Sequence, residues 1–180
     1  MAAPVTAYLG LGSNLGDRLA NLVAGVRLLT DGAGVDLVAV SSVYETAPWG
    51  LVDQPAFLNA VCAVRTALPP EALLQRCLEV ERALGRVRTV RWGPRTLDID
   101  LLLYGDLTLQ EPHLTLPHPR LTERAFVVIP LLEIAPDLIL PGGRPLAAFR
   151  EAVAGQGIAP WQPAGAFWRQ IQETGPRPRP

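Results

Sequence analysis

A short apolar run near the middle of the chain carries two acids one residue apart, Asp98 and Asp100. The run Leu97-Asp98-Ile99-Asp100-Leu101-Leu102-Leu103 has the apolar, turn-bounded character of a β-strand. Residues at i and i+2 of a strand project from the same face, with Cα atoms about 6–7 Å apart. The two carboxylates therefore point together, whereas Leu97, Ile99 and Leu101 point the other way. Because adjacent like charges are unfavourable without a cation between them, the pattern predicts a divalent-cation site.

Arginines crowd the loop that precedes this strand, at Arg86, Arg88, Arg91 and Arg95. Carboxylates are hard oxygen ligands suited to Mg²⁺, and arginine pairs with phosphate through a planar, two-pronged donor geometry. Metal-binding acids beside phosphate-binding arginines indicate phosphoryl transfer. A solvated surface loop is the alternative for each arginine taken alone. Arg95 has the best case, because it is closest in sequence to the acids and follows the rigid pair 93–94.

Composition excludes several other functions for the 180-residue chain. All 16 basic residues are arginine, so neither a phosphate-loop lysine nor a Schiff-base lysine is available. A net charge of −1 gives no electrostatic case for a nucleic-acid or membrane partner. Cys62 and Cys77 lie in apolar surroundings and are expected to be free thiols. Without a signal-peptide pattern or a membrane-length apolar run, the expectation is a soluble, cytoplasmic protein. A monomer is expected separately from this.

Hydrophobic periodicity predicts the order β-α-β-β-α-β. We therefore expect an α+β fold, a ferredoxin-like βαββαβ sandwich with helices packed on a mostly antiparallel sheet. Helices are predicted from Arg18 to Thr30 and from Pro70 to Gly85. The predicted strands cover residues 5–11, 35–44, 59–66 and 97–103, with a return strand at 107–109. The apolar segment 126–134 is predicted as part strand and part short helix. A single domain is expected over residues 1–163, with a Pro/Gly/Arg-rich, partly disordered tail over 164–180.

Other motifs have competing interpretations. Gly10 to Gly16 contains several glycines, but its spacing departs from the dinucleotide fingerprint. We interpret it as a tight strand-to-helix turn in which Asn14 or Asp17 caps the helix. His118 lies between two prolines and near Arg124, which favours a ligand contact over a structural role, whereas a zinc site does not fit the histidine spacing.

Taken together, these residues resemble the hydroxymethyl-dihydropterin pyrophosphokinases of folate biosynthesis. The segments that carry the resemblance are Gly12-Ser13-Asn14, Ser41 to Thr46, Asp53 to Ala60, Gly85 to Arg88, Arg91 to Leu102, Leu116-Pro117-His118 and Arg124-Ala125-Phe126. The run from Arg91 to Leu102 is the longest and most specific of them. Beyond Leu140 the resemblance fades.

The resemblance implies that ATP donates a pyrophosphoryl group to the hydroxymethyl oxygen of a dihydropterin, releasing AMP. It implies that Asp98 and Asp100 hold two Mg²⁺ ions and that Arg86 and Arg95 contact the transferring phosphates. The residues implied to surround the nucleotide are Arg88, Trp92, Leu101, Thr115, His118 and Arg124, with Trp92 closing over the site. Those implied to bind the pterin are Thr46, Ala47, Pro48, Trp49, Phe57, Asn59 and Phe126, with the two phenylalanines stacking on its faces and Asn59 reading its edge.

Two rival functions stay open from the sequence. Ferredoxin-like sheets also serve as RNA-binding surfaces, although near-neutral charge and the lack of the aromatic RNA-binding motif argue against it. A two-metal phosphohydrolase would place water where the pterin alcohol is expected. His113 occupies a position where some members of the family have arginine, so its contact with nucleotide is left open.

Overall fold

Strands and helices alternate along the chain in the computed structural model, which describes residues 3–32, 34–47, 54–85 and 96–173. The strands are β1 Val5–Ser13, β2 Val35–Val40, β3 Val43–Thr46, β4 Phe57–Thr66, β5 Asp98–Tyr104, β6 Leu109–Glu111, β7 Leu114–Leu116 and β8 Ile158–Gln162. The helices are α1 Arg18–Leu29, α2 Pro70–Ala83, α3 Ala125–Ile134 and α4 Ala164–Glu173, with short 3-10 helices at Leu146–Phe149 and Glu151–Val153.

The main sheet has the order β5-β1-β4-β3-β8, and β2 also pairs with β4. Strands β2 and β3 follow one another along β4, since β2 pairs with residues 62–66 and β3 with residues 57–59. Every strand pair within the described residues is antiparallel. This arrangement confirms the predicted α+β, ferredoxin-like fold.

Helices cover both faces of the sheet. Side chains alternate along each strand, so each face presents its own set of apolar residues to those helices. Residues from β1, β4 and β5 pack on one face with α1, α2 and α4. On the other face, a second cluster packs against α3. Fully buried leucines such as Leu9, Leu58 and Leu73 each contribute about 1.5–3 kcal/mol relative to an exposed position. The two clusters therefore fix the sheet between its layers and leave the strand ends to form a site.

The predicted continuous strand over 35–44 is wrong, because the chain breaks at Ser41 and Ser42. The Ser41 hydroxyl accepts the backbone N–H of Val61 at 2.9 Å. Both the backbone N–H and the hydroxyl of Ser42 donate to Glu133 on α3, at 2.8 and 2.6 Å. Ser41 keeps one backbone bond, from its N–H to Val61 O at 2.9 Å, but side chains accept the N–H groups of Val61 and Ser42, and this divides β2 from β3.

Two further predictions after β5 are wrong. Residues 126–134 lie entirely in α3, which includes Pro130 and is buried on most sides. An apolar run of this length does not distinguish a buried helix from a strand by periodicity. The predicted return strand at 107–109 does not form beside β5: Leu107 N–H closes a turn by donating to Tyr104 O at 3.0 Å. The strand β6 starts at Leu109 and pairs with β7.

The C-terminal region begins with a helix that the sequence analysis did not predict. In α4, Phe167 and Ile171 are buried in the same cluster as α1. Their i, i+4 spacing places them on one helical face, although the surrounding Gly and Pro residues concealed the pattern. Residues 174–180 lie outside the described residues, and the expected domain division at residue 164 stays a prediction. In the described part of the chain, no helix has both the length and the apolarity needed to cross a membrane.

Candidate active site

The two acids of β5 lie on the α3 face of the sheet. Ile99 and Leu101 are 6% and 4% exposed and belong to the cluster with α1 and α2. Asp98 and Asp100 alternate with them, and the Asp100 side chain is 45% exposed. Leu97 is fully buried immediately before the strand. The predicted shared orientation of the carboxylates is therefore confirmed.

A glycine of β1 lies between the acids of β5 and an asparagine of β4, because β1 is the strand between β5 and β4. Gly12 on β1 is the register partner of Asp98 on β5 and of Asn59 on β4. Directly opposed residues of neighbouring strands project from the same face, and each strand spacing is about 4.8 Å. The Cα atoms of Asp98 and Asn59 are therefore about 10 Å apart, and the residue between them, Gly12, has no side chain. We call the surface over Gly12, between Asp98 and Asn59, the slot.

Asn59 is fixed within this slot. It is buried, and its Nδ2 donates to Thr46 Oγ1 at 2.6 Å. A Cβ at Gly12 would lie 2.8 Å from Asn59 Oδ1 and 3.5 Å from Phe57 Cδ1. Both side chains therefore lean over the glycine. An amide held in this way presents a donor and an acceptor in a defined direction.

Two aromatic rings lie on the elements of this face of the sheet, and Phe57 is the one that approaches Gly12. Phe57 opens β4 and is the register partner of Thr46. Phe126 lies in the first turn of α3 and packs against the cluster that covers the same face. Both rings are partly buried, which leaves part of each ring accessible. The Arg124 guanidinium lies 5.4 Å from the centroid of the Phe126 ring, within cation–π range.

A histidine adjoins the exposed acid. His118 Nε2 lies 4.0 Å from Asp100 Oδ1. His118 Nδ1 accepts the backbone N–H of Arg120 at 3.1 Å, so the neutral ring carries its proton on Nε2, toward the carboxylate. The backbone N–H of His118 donates to Leu102 O at 2.9 Å, which anchors the residue to β5.

Burial and the nearby Asp100 carboxylate shift the pKa values of His118 and Arg124 in opposite directions. Burial lowers the pKa of His118 from its ordinary value; Asp100 opposes this shift, whereas Arg124 and Arg120 reinforce it. Burial also lowers the pKa of Arg124, and Asp100 again acts in the opposite sense. Arginine keeps its proton at any physiological pH. The electrostatic result is a mixed-charge surface, cationic at α3 and anionic at β5.

The donor set fits Mg²⁺. Within the described ranges no group of three or more His, Cys, Asp or Glu side chains could enclose a metal ion. Mg²⁺ usually keeps several waters and binds through one or two carboxylates together with substrate phosphates. Two oxygen donors on one open strand face are therefore compatible with a magnesium ion that also binds a phosphate ligand, and they do not suit a closed structural metal site.

The other predicted site residues have varied positions. Leu101 is buried in the core on the opposite face, so only its backbone is available to a nucleotide. Thr115 lies on β7 between two buried leucines, with its own side chain partly exposed. Ala47 follows β3 and is exposed. Arg86, Arg88, Trp92, Arg95, Pro48 and Trp49 lie outside the described residues.

Glu81 is a residue of this region that sequence reasoning missed. Although it is a carboxylate, it is only 3% exposed, and its Oε2 accepts the Ile99 backbone N–H at 2.8 Å. Ile99 lies between the two acids, so Glu81 ties α2 to the part of β5 that presents them. The available signal was an acid on the apolar stripe of α2, in phase with Leu73 and Cys77.

The glycine-rich motif forms the predicted turn, with one change. Asp17 caps α1 by accepting Ala20 N–H at 3.1 Å, and it was one of the two residues predicted as the cap. Asn14 instead donates to Gln54 Oε1 and Pro55 O, both at 3.0 Å. His113 has a partner outside this site, because its Nε2 lies 2.6 Å from Glu71 Oε1 at the start of α2.

The chain therefore belongs to the class of antiparallel, ferredoxin-like α+β proteins. It carries paired carboxylates on one face of a strand of its sheet. The family of the 7,8-dihydro-6-hydroxymethylpterin-pyrophosphokinases (HPPK) matches residues 8–136, and the chain belongs to this family. Membership confirms the predicted family and its pyrophosphokinase activity in folate biosynthesis.

Individual relatives agree with this assignment. The 2-amino-4-hydroxy-6-hydroxymethyldihydropteridine pyrophosphokinase of Methylorubrum extorquens is 51% identical over 148 residues, which cover 82% of this chain and 91% of the relative. The protein of the same name from Haemophilus influenzae is 44% identical over 140 residues, covering 78% and 88%. A solved HPPK-DHPS structure in complex with substrates has a TM-score of 0.69 over 84% of this chain. It is 13% identical and the match spans 43% of that longer chain, a likeness that concerns the fold.

Proposed function

We propose that the chain transfers pyrophosphate from ATP to the hydroxymethyl group of 6-hydroxymethyl-7,8-dihydropterin at the slot above Gly12. The observation that carries this location is the register row Asp98–Gly12–Asn59, which places an acidic residue and a fixed amide on the same sheet face, with Cα atoms about 10 Å apart. A flat heterocycle with its edge at Asn59 directs its hydroxymethyl oxygen toward the acids. The nucleotide then binds on the side of His118 and Arg124.

Asp98 and Asp100 are proposed to hold two Mg²⁺ ions. When bound, the ions offset charge on the phosphate oxygens and favour ionisation of an attacking alcohol. The protein contributes two oxygen donors on one strand face, and Glu81 fixes the strand between them. Arg124 and the Nε2 proton of His118 are proposed to contact an anionic ligand bound near Asp100. Positioning and charge stabilisation supply most of the catalysis in such reactions.

Pterin recognition is proposed to combine stacking with an amide contact. Phe57 on β4 and Phe126 on α3 are proposed to contact the two faces of the planar ring, because both belong to elements of the same sheet face and both rings are partly accessible. Asn59 contributes a donor and an acceptor to the ring edge, while Thr46 fixes its orientation. Ala47 extends this side of the site, and Thr115 belongs to the nucleotide side. The roles proposed from the resemblance for residues beyond the described ranges stay predictions, as do the cytoplasmic location and the monomeric state.

A nucleotide-resolved assay tests the reaction. The protein is mixed with Mg-ATP, with and without hydroxymethyl-dihydropterin, and AMP and ADP are separated. AMP released only in the presence of pterin supports the proposal. Pterin-independent hydrolysis would indicate the phosphohydrolase alternative, and absence of turnover would favour a binding module.

A pair of variants tests the metal assignment. Asp98→Ala and Asp100→Ala should each lower kcat by about 100-fold or more, because a group that stabilises transition-state charge is lost. Asp106→Ala is the matched control, since Asp106 is exposed in the turn immediately after β5. Circular dichroism should be unchanged in all three. Near-normal turnover of either β5 variant would contradict the assignment.

A further inference from the structure

The first residue of α1 connects the two strand ends that border the proposed pterin slot. Arg18 Nη1 lies 2.9 Å from Glu45 Oε2 and 2.9 Å from the carbonyl oxygen of Ala56. Glu45 belongs to β3, one residue before Thr46. Ala56 immediately precedes Phe57, the first residue of β4. One guanidinium nitrogen therefore joins the end of β3 to the start of β4.

A second side chain of the same β1–α1 connection reinforces this contact. Asn14 Nδ2 donates to Gln54 Oε1 and to Pro55 O, both at 3.0 Å. Residues 54–56 precede the first register pair of β4, which joins Phe57 to Thr46. The chain that leads into Phe57 is thus held by side chains from residues 14 and 18.

We propose that Arg18 is a positioning residue for pterin binding, acting through Phe57 and Thr46. This inference rests on the proposed function and extends it to a residue that touches no substrate. Phe57 leans over Gly12, and the Thr46 hydroxyl holds Asn59. A shift of either strand end moves an aromatic ring or the amide that faces the pterin.

The exposure of the pair separates this role from general stabilisation. The side chains of Arg18 and Glu45 are 26% and 41% exposed. Ion pairs in such surroundings contribute little to the free energy of unfolding, because solvent screens them. The charge-assisted bond to the Ala56 carbonyl instead fixes a direction in the backbone. Loss of Arg18 should therefore affect the local geometry of the slot more than the stability of the fold.

Steady-state kinetics of Arg18→Met test the proposal. We expect the pterin KM to rise by about tenfold, while the KM for ATP and kcat stay within about twofold of the wild type. Arg65→Met is the matched control, because it removes the same charge from an exposed position at the opposite end of β4. Both of its KM values should equal those of the wild type. Arg18→Lys, which keeps the charge but lacks the planar fork, should show an intermediate pterin KM.

Other outcomes overturn the proposal. An unchanged pterin KM in folded Arg18→Met would do so, as would equal increases of both KM values or a loss of kcat alone. If Arg18→Met does not fold, Glu45→Gln provides the milder test, with an expected rise in pterin KM of about threefold; an unchanged value would overturn the proposal. Wild-type protein that releases no AMP with pterin would overturn the proposed function, and this inference with it. Wild-type turnover with unaltered variants would overturn the inference alone.

Discussion

Gly12 and Asn59 face each other across β1 and β4, and the space between them excludes a side chain. Asn59 Oδ1 lies 2.8 Å from the position that a Cβ on residue 12 would occupy. Real Cβ contacts essentially never fall below 3.0 Å, so a larger residue must displace the amide. Because Thr46 holds that amide by a buried hydrogen bond of 2.6 Å, the displacement breaks an existing contact. The lack of a side chain at Gly12 therefore permits the orientation in which Thr46 holds the Asn59 amide.

Gly12→Ala should therefore weaken pterin binding. We expect the pterin KM to rise by about tenfold, with a smaller change in the KM for ATP. Gly10→Ala is the comparison on the same strand, because a Cβ there would meet Leu102 Cδ1 at 3.5 Å, an ordinary contact. Its pterin KM should change less than that of Gly12→Ala. Equal KM values for the two variants would contradict the steric argument.

Phe126→Ala should reduce pterin affinity by about ten- to a hundredfold, the usual effect of removing an aromatic stacking partner. Nucleotide affinity should fall less, although Arg124 loses the ring over which it lies. Titrations with pterin and with a non-hydrolysable ATP analogue measure the two effects separately. Phe126→Leu keeps apolar volume without the aromatic face and should be intermediate. A larger loss of affinity for nucleotide than for pterin would contradict the proposed contact between Phe126 and the pterin.

Glu81→Ala should destabilise the protein, because the buried Ile99 N–H loses its carboxylate acceptor. Bonds to charged groups contribute about 1.5–3 kcal/mol to the free energy of unfolding. Glu81→Gln keeps an acceptor oxygen and should lose less. Glu79→Ala, at an exposed position of the same helix, should be near neutral. Urea denaturation measures all three, and a neutral Glu81→Ala would show that the bond does not hold β5.

The cysteines should resist modification in the folded protein. Burial raises the pKa of Cys62 to about 12, and burial likewise raises that of Cys77. Only the thiolate reacts, and at pH 8 a thiol with a pKa of about 12 is ionised to about one part in ten thousand. Reactivity should therefore increase only as the pH approaches the raised pKa. A thiol-specific reagent at pH 8 should label both residues in denaturant and neither without it; rapid native labelling would contradict their burial.

The sequence was informative where the signal is local. The period of two in β5 predicted that Asp98 and Asp100 share a face, because Ile99 and Leu101 between and beside them are apolar and seek the core. The spacing of leucines likewise predicted α1 within one residue of its end. In both cases a short window of residues contains the whole physical reason for the structure.

Long-range geometry was not predictable in the same way. The opposition of Gly12 and Asn59 depends on the register of β1 against β4, which no local pattern specifies. Asn14 was read as a possible helix cap, but its partners lie 40 and 41 residues away at Gln54 and Pro55. α3 was misassigned because its sequence is apolar at every position except Glu133, so no polar face reveals its period.

A crystal structure with Mg²⁺ and a non-hydrolysable ATP analogue tests the central claim most directly. Carboxylate oxygens of Asp98 and Asp100 should lie about 2.1 Å from a cation that also binds phosphate oxygens. His118 and Arg124 should lie on the same side of the triphosphate. Carboxylates turned away from the triphosphate, with no cation between, would contradict the account.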